Sequence, residues 1–161
     1  MGLIEKKRVY FLAEREFPSG NAGGTRVHYL AKALQLLGYE VVVLSLGDNN
    51  PQDFIRDING FVHDGIQYEN YPLSKGVIKI FRRYIFSGLA TIYKLKHFSK
   101  SRPNGDIVIV YTTNAIYALT VLLYVRRRYS VWMDVVEWFQ AENFRNRRYN
   151  IKYWLFRFCF S

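Results

Sequence analysis

Apolar residues in this chain fall into two patterns: short unbroken runs, and stripes that recur every three or four positions. The runs Arg8–Ala13 (RVYFLA), Val41–Leu46 (VVVLSL), Asp106–Tyr111 (DIVIVY) and Ser130–Val136 predict strands. Unbroken apolar character suits a strand covered on both faces. Between the first two runs, Val27, Leu30, Ala31, Leu34 and Leu37 recur at helical spacing and predict a helix over 25–37. Gly38 stands where a helix C-cap glycine belongs. The segment 47–74 is less regular and predicts a loop, a short strand or hairpin near 61–71, and a turn at Pro72. Further helices are predicted over 75–98 (one long or two), 114–128 and 147–160. Arg126, Arg127 and Arg128 suit the carbonyl-rich end of the third of these four helices. Strands alternating with crossover helices imply an α/β protein with a Rossmann-like open parallel sheet and helices on both faces.

Length changes this picture little. A chain of 161 residues makes one domain, burying roughly 70% of its unfolded surface. The single cysteine, Cys159, excludes an internal disulfide framework and is expected to be a packing residue. His28, His63 and His97 show no metal-ligand spacing, so no metal is expected. No secretory leader is expected, because residues 1–8 are polar and charged. Residues 107–125 are uncharged, but Thr112, Thr113 and Asn114 interrupt them, which favours strand, turn and buried helix over a membrane span.

Charge changes it more. The net charge is +10 and is placed unevenly. Residues 1–74 carry 7 Lys+Arg against 9 Asp+Glu, and residues 75–161 carry 16 against 4. A field so lopsided favours an anionic partner. Residues 75–102 hold eight cations, from Lys75 to Arg102, and no acid, interleaved with aromatic and aliphatic residues. A basic amphipathic helix of this kind can lie on an anionic membrane surface, or be a solvated helix with a basic outer face. No recognised nucleic-acid motif accompanies the charge, so no nucleic acid is expected as a partner.

Candidate chemistry gathers after the strands. Gly20, Gly23 and Gly24 lie between the first strand and the first helix. Helix-start N–H groups carry partial positive charge, and glycine lets a phosphate or sugar approach them. The glycines could instead form a flexible turn with Thr25 as N-cap. Their spacing is not the dinucleotide fingerprint, and no acid ends the second strand. Arg15 and Arg26 flank the glycines and could meet a phosphate, or a nearby acid such as Glu14 or Glu16. Thr112, Thr113 and Asn114 follow the third run; they could hold an acceptor hydroxyl, or Thr113 or Asn114 could cap the next helix. Asp134 and Glu137 end the last strand, three residues apart and so on opposite sides of a strand. A structural hydrogen-bonding role is expected for Asp134, and Glu137 could pair with an arginine from 145–148.

The stretch VYFLAEREFPSGNAGGTRVHYLAKALQLLGYEVVVLSL resembles the opening of a GT-B glycosyltransferase of the retaining group often called family 4. The resemblance rests on Gly23 and Gly24 at a helix start, then Leu34, Gly38, Tyr39, Glu40 and Val41 before an apolar strand. It continues at DIVIVYTTNAIYALTVLL and VWMDVVEW. The resemblance implies the acceptor-side, N-terminal half of a sugar transferase, with no cofactor and a nucleotide-sugar donor as co-substrate. The acceptor would be a polysaccharide or lipid-linked glycan. Gly23, Gly24, Thr25, Arg15, Arg26, Thr113, Asn114 and Asp134 would line the substrate cleft, and Glu137 would face the transferred sugar as the catalytic candidate. It also implies cytoplasmic placement, peripheral on the inner membrane face. The C-terminal nucleotide-sugar domain of such enzymes has no counterpart in these 161 residues. Activity would then need a donor domain or partner subunit. The alternative is a non-catalytic membrane-surface or partner-binding module.

Overall fold

The computed structural model describes residues 7–14, 17–18, 22–46, 56–57, 60–71, 80–99, 105–112 and 114–134. Within them the chain forms strands β1 (Arg8–Ala13), β2 (Glu40–Leu46), β3 (Arg56–Asp57), β4 (Gly60–His63), β5 (Ile66–Tyr71), β6 (Ile107–Tyr111) and β7 (Ser130–Asp134), and helices α1 (Ala22–Leu36), α2 (Ile80–Ser99) and α3 (Ala115–Val125). The sheet has seven strands in the order β3-β4-β5-β2-β1-β6-β7. Neighbours from β5 to β7 run parallel, and β3 and β4 add an antiparallel edge. This is the expected α/β, Rossmann-like open sheet. The hairpin foreseen near 61–71 is β4–β5. Its turn residues Asp64 and Gly65 take φ of 50° and 75°, the positive values a two-residue hairpin turn of primed type requires.

Alternate residues of each central strand enter two separate cores, as a two-residue repeat demands. Tyr10, Leu12, Val42, Leu44, Val108 and Val110 pack under α2 and α3, against Leu95, Tyr117, Val121 and Val125. Val9, Phe11, Ala13, Val41 and Val43 pack under α1, against Val27 and Ala31. Helices thus cover both faces.

Local signals explain most helix ends. Gly38 takes φ of 90°. Its N–H donates to Gln35 O, and Tyr39 N–H donates to Leu34 O. This pair of bonds is the Schellman stop for α1. Asn114 caps α3, its side-chain oxygen accepting from Ile116 N–H at 3.0 Å and Tyr117 N–H at 3.2 Å.

Three details differ from expectation. The first helix starts at Ala22, so Gly23, Gly24 and Thr25 lie inside its first turn, and Thr25 is not its N-cap. The third ends at Val125, leaving Arg126–Arg128 in the turn beyond. Leu30 and Leu37, read as part of the helical stripe, face outward with Val27 and Ala31 buried beneath them.

Candidate functional site

β1 leads through α1 to β2 on one side, and β6 leads through α3 to β7 on the other. Their carboxyl ends therefore border a crevice where the chain turns away in both directions. Open α/β sheets bind ligands at such a point. Three backbone and side-chain bonds tie it together. Glu14 N–H donates to Tyr111 O at 3.0 Å. The Thr112 hydroxyl donates to the Glu14 carboxylate. Asn114 N–H donates to Thr112 Oγ1 at 2.9 Å.

α1 begins above this crevice. Gly24 is buried and Gly23 half-buried, so the first turn sits close to the sheet edge. Partial positive charge at a helix start favours anions and oxygen-rich ligands there. Arg26, one turn in, crosses to β7. Its Nε donates to Asp134 Oδ2 at 3.1 Å and its Nη2 to Oδ1 at 2.9 Å. The fork geometry matches a carboxylate on both oxygens. The hydrogen bonds and the charge of Asp134 push the Arg26 pKa above its ordinary value.

These contacts sort the expected residues. Gly23, Gly24, Thr25, Arg26, Asn114 and Asp134 all lie at the carboxyl edge of the sheet. Arg26 does meet an acid, but Asp134 across the sheet rather than neighbouring Glu14. Asp134 has the hydrogen-bonding role expected of it. Asn114 spends its side-chain oxygen on the α3 cap. Arg15, Thr113 and Glu137 lie outside the described residues.

Two groups at this edge take parts that the sequence reading did not give them. Glu14 is central to the crevice, yet a lone acid after a strand carries no signal by itself. Asn70 is buried at the end of β5. Its Nδ2 donates to Phe17 O at 2.7 Å and its Oδ1 accepts from the Ser45 hydroxyl. It pins the segment after β1 to β2 and β5. Only the parallel pairing of Ser45 with Asn70 brings these residues together.

At the opposite, amino edge of the sheet a cavity of about 400 Å³ is lined by Gln35, Tyr39, Glu40, Val41, Gly65 and Gln67. Its polar groups serve the fold: Gln35 donates to Gly65 O, and Glu40 pairs with Arg8. No cluster of three or more metal-ligating side chains occurs among the described residues. None of the described helices is long and apolar enough to cross a membrane. No protein-family model matches the chain, and no curated protein matches it in sequence.

Proposed function

We propose that this chain is the acceptor-side domain of a retaining glycosyltransferase of GT-B type, transferring a sugar from a nucleotide-sugar to a polysaccharide or lipid-linked glycan. The observation that carries this reading is the glycine-bearing first turn of α1 standing over the crevice between β1 and β6. The strand order accompanies it, and the Schellman stop at Gly38 falls in the same segment that bears the family resemblance.

Sugar transfer needs stabilisation of the leaving diphosphate and placement of the acceptor hydroxyl. The backbone at Gly23 and Gly24 supplies N–H dipoles for the diphosphate or sugar. Arg26 is held by Asp134, and becomes available to a phosphate only when that pair opens. Thr25 borders the same cleft, and the family resemblance assigns Arg15 and Thr113 to substrate binding. The family resemblance assigns Glu137 to the transferred sugar as the catalytic candidate. A donor-binding domain, on the same polypeptide or a partner subunit, completes the cleft. The protein works at the cytoplasmic face of an anionic membrane, held there through residues 75–102.

The outer side of α2 favours a second reading. Phe86, Leu89 and Tyr93 are exposed at successive turns, and Lys96 and His97 follow in the last turn. A non-catalytic membrane-surface or partner-binding module would use the same stripe.

Vesicle sedimentation combined with nucleotide-sugar binding separates the two. The measurement uses the gene product as it occurs in its source cells, beside the 161-residue chain. Both forms are expected to sediment with anionic vesicles, and the form joined to a donor domain or subunit to bind a nucleotide-sugar. Lipid binding without that affinity, once the donor-binding part is supplied, overturns the transferase reading. In the complete enzyme Glu137→Gln is expected to lower turnover by about 100-fold or more. Unchanged turnover removes Glu137 from the chemistry.

A further inference from the structure

The outward side of α1 carries an apolar stripe. Tyr29 is 70% exposed, Leu36 90% and Leu37 74%, and Leu30 and Ala33 are exposed beside them. These positions recur at three- and four-residue steps and so share one side of the helix. The buried positions Val27 and Ala31 lie on the other. Stability of the domain does not call for leucines at 36 and 37, since neither enters a core.

The charged side chains around the stripe are engaged within the fold. Lys32 reaches sideways to Asp64, at 3.0 Å from the carboxylate and 2.9 Å from the backbone oxygen. Arg26, at the head of the stripe, is held by Asp134. No ionisable group other than the Tyr29 phenol lies on the stripe between Arg26 and the helix end.

We propose that α1 is a self-association surface, pairing with α1 of a second copy in antiparallel fashion about a twofold axis at Ala33. The residues themselves are arranged symmetrically about that position. Leu30 and Leu36 stand three residues to either side, and Tyr29 and Leu37 four. An antiparallel pair centred on Ala33 places Tyr29 of one copy against Leu37 of the other, and Leu30 against Leu36. The smallest side chain falls where the two backbones come closest. A twofold contact needs such a self-complementary patch.

Charge selects a second copy as occupant. With a net charge of +10, two chains repel on average. The excess lies in residues 75–161, which carry 16 Lys+Arg against 4 Asp+Glu. α2 and α3 belong to that part and cover the opposite face of the sheet. The part containing α1 carries 7 against 9. Joining through α1 brings together the part of the chain whose charges nearly balance rather than the part that carries the excess. An anionic membrane has no cation on this stripe to attract it.

The helix is 15 residues long, roughly 22 Å. Such a contact lies near the lower end of specific interfaces, so association at about micromolar concentration is expected. Sedimentation equilibrium of the 161-residue chain, over about 1 to 100 μM, tests the proposal. The average mass is expected to rise from 19.1 kDa toward twice that value. Ala33→Glu and Leu37→Glu are expected to hold it at 19.1 kDa with an unchanged melting temperature, since both positions are exposed. Tyr29→Lys alone is expected to do the same. Mixing Tyr29→Lys with Leu37→Glu restores association, because the two new charges meet across the pair. A mass constant at the monomer value overturns the proposal. So does association unaffected by these changes, failure of the mixed pair to associate, or partitioning of the monomeric chain into neutral vesicles through the α1 stripe.

Discussion

On one face of the sheet, among the described residues, a single helix, α1, is held at its rim by charged and polar contacts. Lys32 and His28 reach Asp64, Gln35 reaches Gly65 O, and Arg26 reaches Asp134. On the other face α2 and α3 pack closely against each other. A methyl group added at Gly88 would sit 2.8 Å from Thr120 Cγ2. Buried hydroxyls join the same two helices, Thr91 to Tyr117 at 3.2 Å, and burial pushes the Tyr117 pKa up. The comparison shows two ways of closing a sheet. Rim contacts consume the charges around α1 and leave its outer stripe electrically quiet. Close packing consumes small residues, while Lys94 of α2 pairs with Glu69 and Lys96 stays exposed over the Tyr124 ring. The same outward apolar periodicity therefore meets different surroundings on the two faces of the sheet.

The largest expected effect tests the close-packed face. Gly88→Ala is expected to cost about 1–3 kcal/mol, because Thr120 is stiff at χ1 and cannot yield cheaply. A shift in the urea midpoint measures it. Adding Thr120→Ala should return most of the loss. An unchanged midpoint for Gly88→Ala would mean that α2 and α3 slide apart freely, and the contrast with α1 would collapse.

A smaller effect is expected at the rim. The Arg26–Asp134 pair is partly solvated, with side-chain exposures of 49% and 19%. Asp134→Asn should cost less than about 1 kcal/mol of stability. It also releases Arg26 beside the first turn of α1. Titration with a nucleoside diphosphate is expected to show tighter binding in the variant than in the parent, by several-fold. Weaker binding in the variant would mean that Asp134 itself holds the ligand.

The smallest effect is a pH dependence on the α1 side. His63 packs against Phe17 and His28, with Asp64 and Lys32 nearby. Desolvation first, then the neighbouring His28, hold its pKa below the ordinary value, against the pull of Asp64. The folded form thus binds the proton less readily than the unfolded chain, whose value is near 6.5. Stability is complete above that pH and falls as pH drops through it toward the lower folded value. Thermal melts at about pH 7.5 and 5.5 bracket this window. His63→Asn should reduce the difference between them. An identical difference in the variant would assign it to other groups.

Much of this architecture was legible in the chain. Unbroken apolar runs located β1, β2 and β6, because a strand covered on both faces has no polar side to show; the run at β7 also marked a strand, though β7 ends the strand order with Ser130 and Trp132 exposed. Gly38 announced the end of α1, because a positive φ suits glycine and the stop is local. The carboxyl edge could be anticipated for the same reason: each strand end is read from its own residues.

What lay beyond reach was every contact between elements distant in sequence. Helical periodicity marks which residues share a side but not how wide the covered side is, so Leu30 and Leu37 read like Val27 and Ala31. The difference arises from how far α1 sinks toward the sheet. Arg26 has two acids within two residues of Arg15, yet it pairs with Asp134, 108 residues away. That choice belongs to the strand order, which places β7 two strands from β1. Sequence specifies local backbone preference and the side on which apolar groups gather. Which charges meet, and which apolar stripe stays outside, is decided only when the sheet assembles and burial makes some pairings unavoidable.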